Sequence, residues 1–97
     1  MSTTLRSLLR VTRNANVPKL AGAIAHSIRA QGEVDVQAIG AAAVNQSIKA
    51  IALAQSFLNS EGTDLLSIPQ MVSLHEEGQE RTAVRISVTS HTNGKSE

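Results

Sequence analysis

The sequence predicts an α/β chain with its elements in the order β-α-β-α-β-β. Three observations lead there. The stretch "EVDVQAIG", Glu33 to Gly40, alternates with period two, as a half-buried strand does. The segments on either side carry apolar residues at three- and four-residue spacing, the mark of a helix with one buried face. Two later stretches, "DLLSIPQMVSL" and "ERTAVRISVTS", read as strands on either side of the turn "HEEGQ".

The first strand is expected from about Leu5 to Thr12. The same residues, "MSTTLRSLLRVTRN", are Arg-rich, Ser/Thr-rich and free of acids, as a transit peptide is. Read as a helix, they place Arg6, Arg10 and Arg13 on one side. Read as a strand, they place Leu5, Ser7, Leu9 and Val11 on one face. The segment alone does not decide; the strand is preferred because the next strand needs a partner. "RNANVP" then breaks it, with Asn16 placed to cap a helix and Pro18 in its first turn. The first helix is expected over about Pro18 to Gln31, burying Leu20, Ala21, Ile24 and Ile28. Lys19, Gly22, His26 and Arg29 fall on the opposite side, and Gly32 ends it.

In the second strand Val34, Val36 and Ala38 point one way, and Asp35, Gln37 and Ile39 the other. A second helix follows from about Ala41 to Asn59. Val44, Ile48, Ile51, Ala52 and Leu58 are its expected core face, with Asn45, Lys49 and Ser56 as a polar stripe. Leu53 and Phe57 lie off that face. They either close the edge of the core or meet a second subunit. After the turn "NSEGT", Leu66 and Ile68 share a face of the third strand. Pro69 cannot donate to a ladder, so that strand bends, bulges or lies at an edge. In the last strand Val84, Ile86 and Val88 face the core, while Arg81, Ala83, Arg85 and Ser87 face out. The chain is expected to be one domain over residues 1–97, with a core at about 5–90 and a polar tail at 91–97.

Composition excludes several functions. There is no cysteine among the 97 residues, so neither a disulfide framework nor a thiolate metal site can form. No apolar run approaches the roughly 20 residues that span a bilayer. Phe57 is the sole aromatic residue, which leaves no platform for stacking bases. His26, His75 and His91 are dispersed, and the acids lie mostly in turns, so no catalytic or metal constellation is apparent and no cofactor is expected. "NQS" at Asn45 to Ser47 fits a glycosylation sequon but falls inside a helix.

Gly40 stands between a strand and a helix, where phosphate-binding loops are built. A dinucleotide fingerprint needs several glycines, and a P-loop needs a Lys-Ser/Thr pair. "GAAAVNQS" has neither. What remains is a helix start with free N–H groups. Charge is uneven: residues 1–32 carry five cations and no acid, whereas residues 33–97 carry four cations against eight acids. Arg13 and Lys19 flank the first strand-to-helix loop, Lys49 is the only cation of the second helix, and Arg81 and Arg85 rise on the last strand. Phosphate contacts ask for positive charge and amide donors rather than for a catalytic geometry.

The stretches "LLRVTRNANVPKLAGAIA", "QAIGAAAVNQSIKA", "GTDLLSIP" and "ERTAV" carry a resemblance over about Leu5 to Thr89. In them the chain resembles the stage V sporulation protein S family of bacteria, which is similar in fold to the Alba nucleic-acid-binding proteins. The resemblance implies an Alba-like two-layer α/β sandwich, with two helices on a four-stranded mixed sheet. It implies a non-enzymatic, cytoplasmic regulator of sporulation or development, a homodimer or higher homo-oligomer that binds DNA or RNA. It implies neither a membrane partner nor a small-molecule substrate. Carried over by position, the nucleic-acid contacts become Arg13, Asn14, Asn16 and Lys19 in the first loop; Gly40, Asn45, Gln46 and Lys49 at the second helix; and Arg81 and Arg85 on the final hairpin. Leu53 and Phe57 become the candidate oligomer interface. At Gly40 this chain has alanines where Alba proteins have arginines, so the contacts there rest on amides and on Lys49.

Overall fold

The computed structural model describes residues 7–92. Leu5 and Arg6 of the expected first strand, and residues 93–97 of the expected tail, lie outside them. The strands are β1 (Leu8–Val11), β2 (Glu33–Ala38), β3 (Thr63–Glu76) and β4 (Gln79–Thr92). The helices are α1 (Val17–Gln31) and α2 (Ala41–Leu58), and a single 3-10 turn (Asn59–Glu61) follows α2. The order is the one the sequence predicts. The two strands of the hairpin are longer than expected, so "HEEGQ" shrinks to a two-residue turn at Glu77 and Gly78. His91 and Thr92, read as the start of a tail, belong to β4.

The sheet is mixed, with strand order β1-β2-β4-β3. β1 and β2 are parallel, as a strand-helix-strand crossover requires. β4 runs antiparallel to both β2 and β3. Register fixes the two faces. Val34, Val36 and Ala38 pair with Val88, Ile86 and Val84, and Leu9 and Val11 lie beside Val36 and Ala38. These residues meet the apolar sides of both helices in one core, so α1 and α2 cover the same face. The other face carries no helix. Two layers result.

Each helix starts and stops for a local reason. Asn16 has extended backbone and its Oδ1 accepts from the Lys19 N–H at 2.9 Å; Pro18 sits in the first turn. Gly32 ends α1 in the left-handed region, and its N–H donates to the Ile28 carbonyl at 2.8 Å. Of the expected stripe, Ala21, Ile24 and Ile28 are buried; Leu20 is half-buried and Ala25 takes its place.

The core face of α2 differs from the expected one. Ala43, Ser47, Ala50, Ile51, Ala54 and Leu58 are buried, whereas Ile48 is 52% exposed and Ala52 is exposed. Ala43, Ser47, Ala50 and Ala54 form a four- and three-residue stripe of small side chains. Small residues let α2 come close to α1, whose own buried face includes Ala21 and Ala25. Ile51 and Leu58 are buried as expected and Val44 packs against the core, so the expected face is turned only in part, toward the small residues. Ser47 is wholly buried, and its hydroxyl donates to the Ala43 carbonyl at 2.9 Å.

The chain leaves α2 through a pinned turn. Gln55 donates to the Thr63 carbonyl and accepts from the Leu65 N–H at 2.9 and 2.7 Å. Arg29 of α1 grips Glu61 with its Nη2 at 2.9 Å from Oε2 and its Nε at 3.1 Å. Hydrogen bonding to that carboxylate raises the Arg29 pKa, against desolvation and with the help of Glu61's charge. Because the folded pKa is raised, the Arg29 contribution is fully present at neutral pH and is lost as pH rises through the strongly alkaline range. β3 is an edge strand, the last of the three alternatives Pro69 left open, and its pairing with β4 runs unbroken through Pro69 opposite Ile86. At the hairpin tip both Glu77 (φ 52°) and Gly78 (φ 77°) have positive φ, which matches the right-handed twist of the flanking strands.

Candidate nucleic-acid interface

The parallel pair β1–β2 sends both helices off from the same end of the sheet. Their N-termini therefore lie at the carboxyl ends of the two strands, where open α/β sheets commonly bind ligands. Residues 12–16 link β1 to α1, and Ile39 and Gly40 link β2 to α2. The first loop is itself a turn, with the Ala15 N–H on the Thr12 carbonyl at 3.1 Å. Gln46 ties it to α2: its Nε2 donates to the Ala15 carbonyl at 2.9 Å. The two segments proposed from sequence are thus one surface, held together by a side chain of α2.

Arg13, Asn14, Asn16, Lys19, Gly40, Asn45 and Lys49 are all exposed around this end. Neither helix has an acid in its first turn. Neither helix therefore sets an acid of its own first turn against its positive end. Gly40 precedes α2 at φ 91°, ψ 156°, a backbone region that residues with a side chain hardly enter. Nothing lies within 4 Å of where its Cβ would be, so backbone conformation alone selects glycine here. No side chain caps α2. Its first carbonyl bond is Val44 N–H to Gly40 O at 3.1 Å, which leaves the N–H groups of the first turn facing outward.

One expected amide donor, Gln46, has another duty: its carboxamide donates to the Ala15 carbonyl and holds the loop, while the Asn16 side chain accepts in the α1 cap through Oδ1. Both shape the surface that Arg13 and Lys19 occupy. Asn45 and Lys49 stand one turn apart on the exposed side of α2. Arg85 belongs elsewhere, whereas Arg81 lies on the part of the hairpin that runs on past the carboxyl end of β2. Arg81 lines an open groove at the hairpin tip with Glu76, Glu77 and Gln79. Arg85 pairs with Gln37 in register, on the sheet face without helices, and its Nε and Nη2 donate to Gln37 Oε1 at 2.9 and 2.6 Å. Arg10, absent from the expected set, lies beside Gln37 on that same face. Its strand parity contained the signal: Leu9 and Val11 are core, so Arg10 must point away. Among the described residues no group of three or more His, Cys, Asp or Glu is gathered to hold a metal.

Leu53 is partly buried against the core, whereas Phe57 is 41% exposed. Further along the edge strand Leu66, Ile68 and Met71 are exposed, Met71 at 78%.

The family model for Stage V sporulation protein S matches residues 7–91, which takes in every strand and helix described except Thr92 at the end of β4. The chain belongs to the stage V sporulation protein S family. It is accordingly a sporulation-related protein. The match covers both strand-to-helix connections and the full hairpin, so the surface built by Arg13, Lys19, Gly40 and Lys49 lies inside the family region. No helix of the described residues is long and apolar enough to cross a membrane.

Proposed function

We propose that this protein is a non-enzymatic cytoplasmic regulator that binds nucleic acid through its phosphates. The observation that carries the reading is the joining of two segments by the Gln46–Ala15 hydrogen bond. It brings an acid-free loop with Arg13 and Lys19 beside the uncapped start of α2, with Asn45 and Lys49 behind it. Such a surface offers charge and backbone amides without a base-reading element. It suits backbone contacts that position a duplex or strand irrespective of sequence. Among the described residues Arg13, Lys19 and Lys49 supply its cations, so affinity is modest and strongly salt-dependent.

The test is anisotropy of a labelled duplex and a labelled single strand across a salt series. For the duplex, log affinity is expected to fall with log salt at a slope of about −0.9 per phosphate neutralised. Arg13→Ala and Lys49→Ala are each expected to reduce the slope by about 1. Absence of binding at roughly 50 mM salt overturns the reading.

A second reading, an oligomerising module whose partner is protein, is favoured by a specific feature. Phe57 on α2 and Met71 on β3 leave large apolar side chains in water, forgoing about 1.5–3 kcal/mol of burial each if fully covered. The two readings are compatible, since a dimer doubles the number of cations offered to one polyanion.

A further inference from the structure

The sheet face without helices carries a polar row that crosses all four strands. Register aligns Arg10 of β1, Gln37 of β2, Arg85 of β4 and Gln70 of β3. The row holds two guanidinium groups and two carboxamides and no acid. With neighbouring strands about 4.8 Å apart, Arg10 and Arg85 stand about 10 Å from each other, on either side of Gln37. Gln37 is only 6% exposed. A guanidinium can only donate, so the Gln37 oxygen faces Arg85 and its NH2 remains a donor for another partner. Two of the five N–H donors of Arg85 are engaged by Gln37.

Beside this row lies a cleft of about 100 Å³, lined by Arg10, Val11, Gln37, Ile39, Leu74 and Glu76. That volume holds several water molecules or one small anion. Leu74 and Glu76 come from the far end of β3, so the hairpin curls over the end of the row and Glu76 lines the same cleft as Arg10. Asp35 stands in the adjacent row and has an interaction partner of its own.

We infer that Arg10, Gln37 and Arg85 form a phosphate-binding site on the uncovered sheet face, and that Glu76 is its built-in competitor. The guanidinium groups match a phosphate group in geometry and charge, and the Gln37 amide supplies a fixed donor between them. Glu76 occupies the cleft wall where an incoming anion meets repulsion. The site lies on the opposite layer from Lys19 and Lys49 and extends phosphate recognition to a second surface. It rests on the nucleic-acid reading only for the source of the phosphate group.

The test uses nuclear magnetic resonance of the full chain, following the Arg Nε–H and Gln37 side-chain amide signals. Inorganic phosphate is added to one sample and an oligonucleotide lacking terminal phosphates to another. Shifts of the Arg10, Arg85 and Gln37 signals are expected with phosphate, at an affinity about three- to fivefold higher in Glu76→Gln than in the parent. Arg10 is exposed, so Arg10→Gln keeps the fold, and in the Glu76→Gln background it is expected to remove the Gln37 shift. The same signals moving with the oligonucleotide identify the nucleic-acid backbone as the source; movement with phosphate alone identifies a free phosphate, and either supports the site. Shifts confined to the amides of Gly40 to Ala43, no shift at all, or equal affinity in Glu76→Gln and the parent overturns the inference. Oligonucleotide binding at the loops, with no sheet-face shift from either phosphate or oligonucleotide, overturns it while leaving the nucleic-acid reading standing.

Discussion

Gly40 and Gly22 respond to the same substitution with opposite signs. Both have open space where a Cβ would go. Gly22 lies in the exposed middle of α1 with ordinary helical backbone, and Gly40 lies at φ 91°. Gly22→Ala is therefore expected to stabilise by about 0.5–1 kcal/mol, because it lowers the entropy of the unfolded chain. Gly40→Ala is expected to destabilise by about 1–3 kcal/mol, the cost of holding a side-chain-bearing residue in that region. Urea unfolding of the two variants checks the pair; two shifts of the same sign contradict it. At this scale the sequence marked the corner but not its meaning. A lone glycine before a helix is compatible with a phosphate loop and with a plain corner. Its missing companions excluded the nucleotide fingerprint, and the dihedral angle supplied the positive reason for glycine. Gln46 illustrates the reverse. Its amide was legible as a donor, but its acceptor is a carbonyl 31 residues earlier in the chain, which no local pattern reveals.

Among the elements, α2 teaches the most. Its ends were legible, since a glycine precedes it and a turn-rich stretch follows. Its orientation was legible in part. Apolar periodicity assigned the core to Val44, Ile48, Ile51, Ala52 and Leu58; Ile51 and Leu58 are buried and Val44 packs against the core, but the rest of the buried face is the small residues Ala43, Ser47, Ala50 and Ala54. Ala50 is wholly buried and Ile48 is 52% exposed. Ala50→Leu is accordingly expected to cost about 1–3 kcal/mol through overpacking. Ile48→Ser is expected to stay within about 0.5 kcal/mol of the parent, as surface changes do. Denaturant midpoints at unchanged m-value check both, and a larger loss at Ile48 than at Ala50 contradicts this packing. The strands were more transparent. Period-two alternation needs no knowledge of a neighbour's distance, so the inward residues of β2 and β4 were read correctly. Ala83 was the exception: it points to the uncovered face, opposite Val72 in register, and is still buried.

For the whole molecule, the unsettled surface is the apolar one. A two-layer sheet leaves one face and two edge strands without cover, and β3 is a long edge with Leu66, Ile68 and Met71 exposed. Pro69 in its middle withholds a donor from any strand that tries to pair there, which guards against open-ended edge association. Phe57 offers a closed contact instead. Under the oligomer reading, Phe57→Glu is expected to yield a folded monomer where the parent is a dimer. Light scattering with circular dichroism checks this; an unchanged oligomer assigns Phe57 to the edge of the core.

What the sequence determined by itself was the order of elements, the inward sets of β2 and β4, the family, and the classes of chemistry that composition forbids. These depend on local periodicity, on punctuation by glycine and proline, and on which residue types are absent. Tertiary structure alone decided that the buried face of α2 turns toward its small residues, that the two strand-to-helix connections are one surface, and that Arg85 stands with Arg10 on the opposite layer. Each of those depends on distances between segments far apart in the chain. Helix approach, loop tethering and strand register set such distances, and none of them is written in a single stretch of residues.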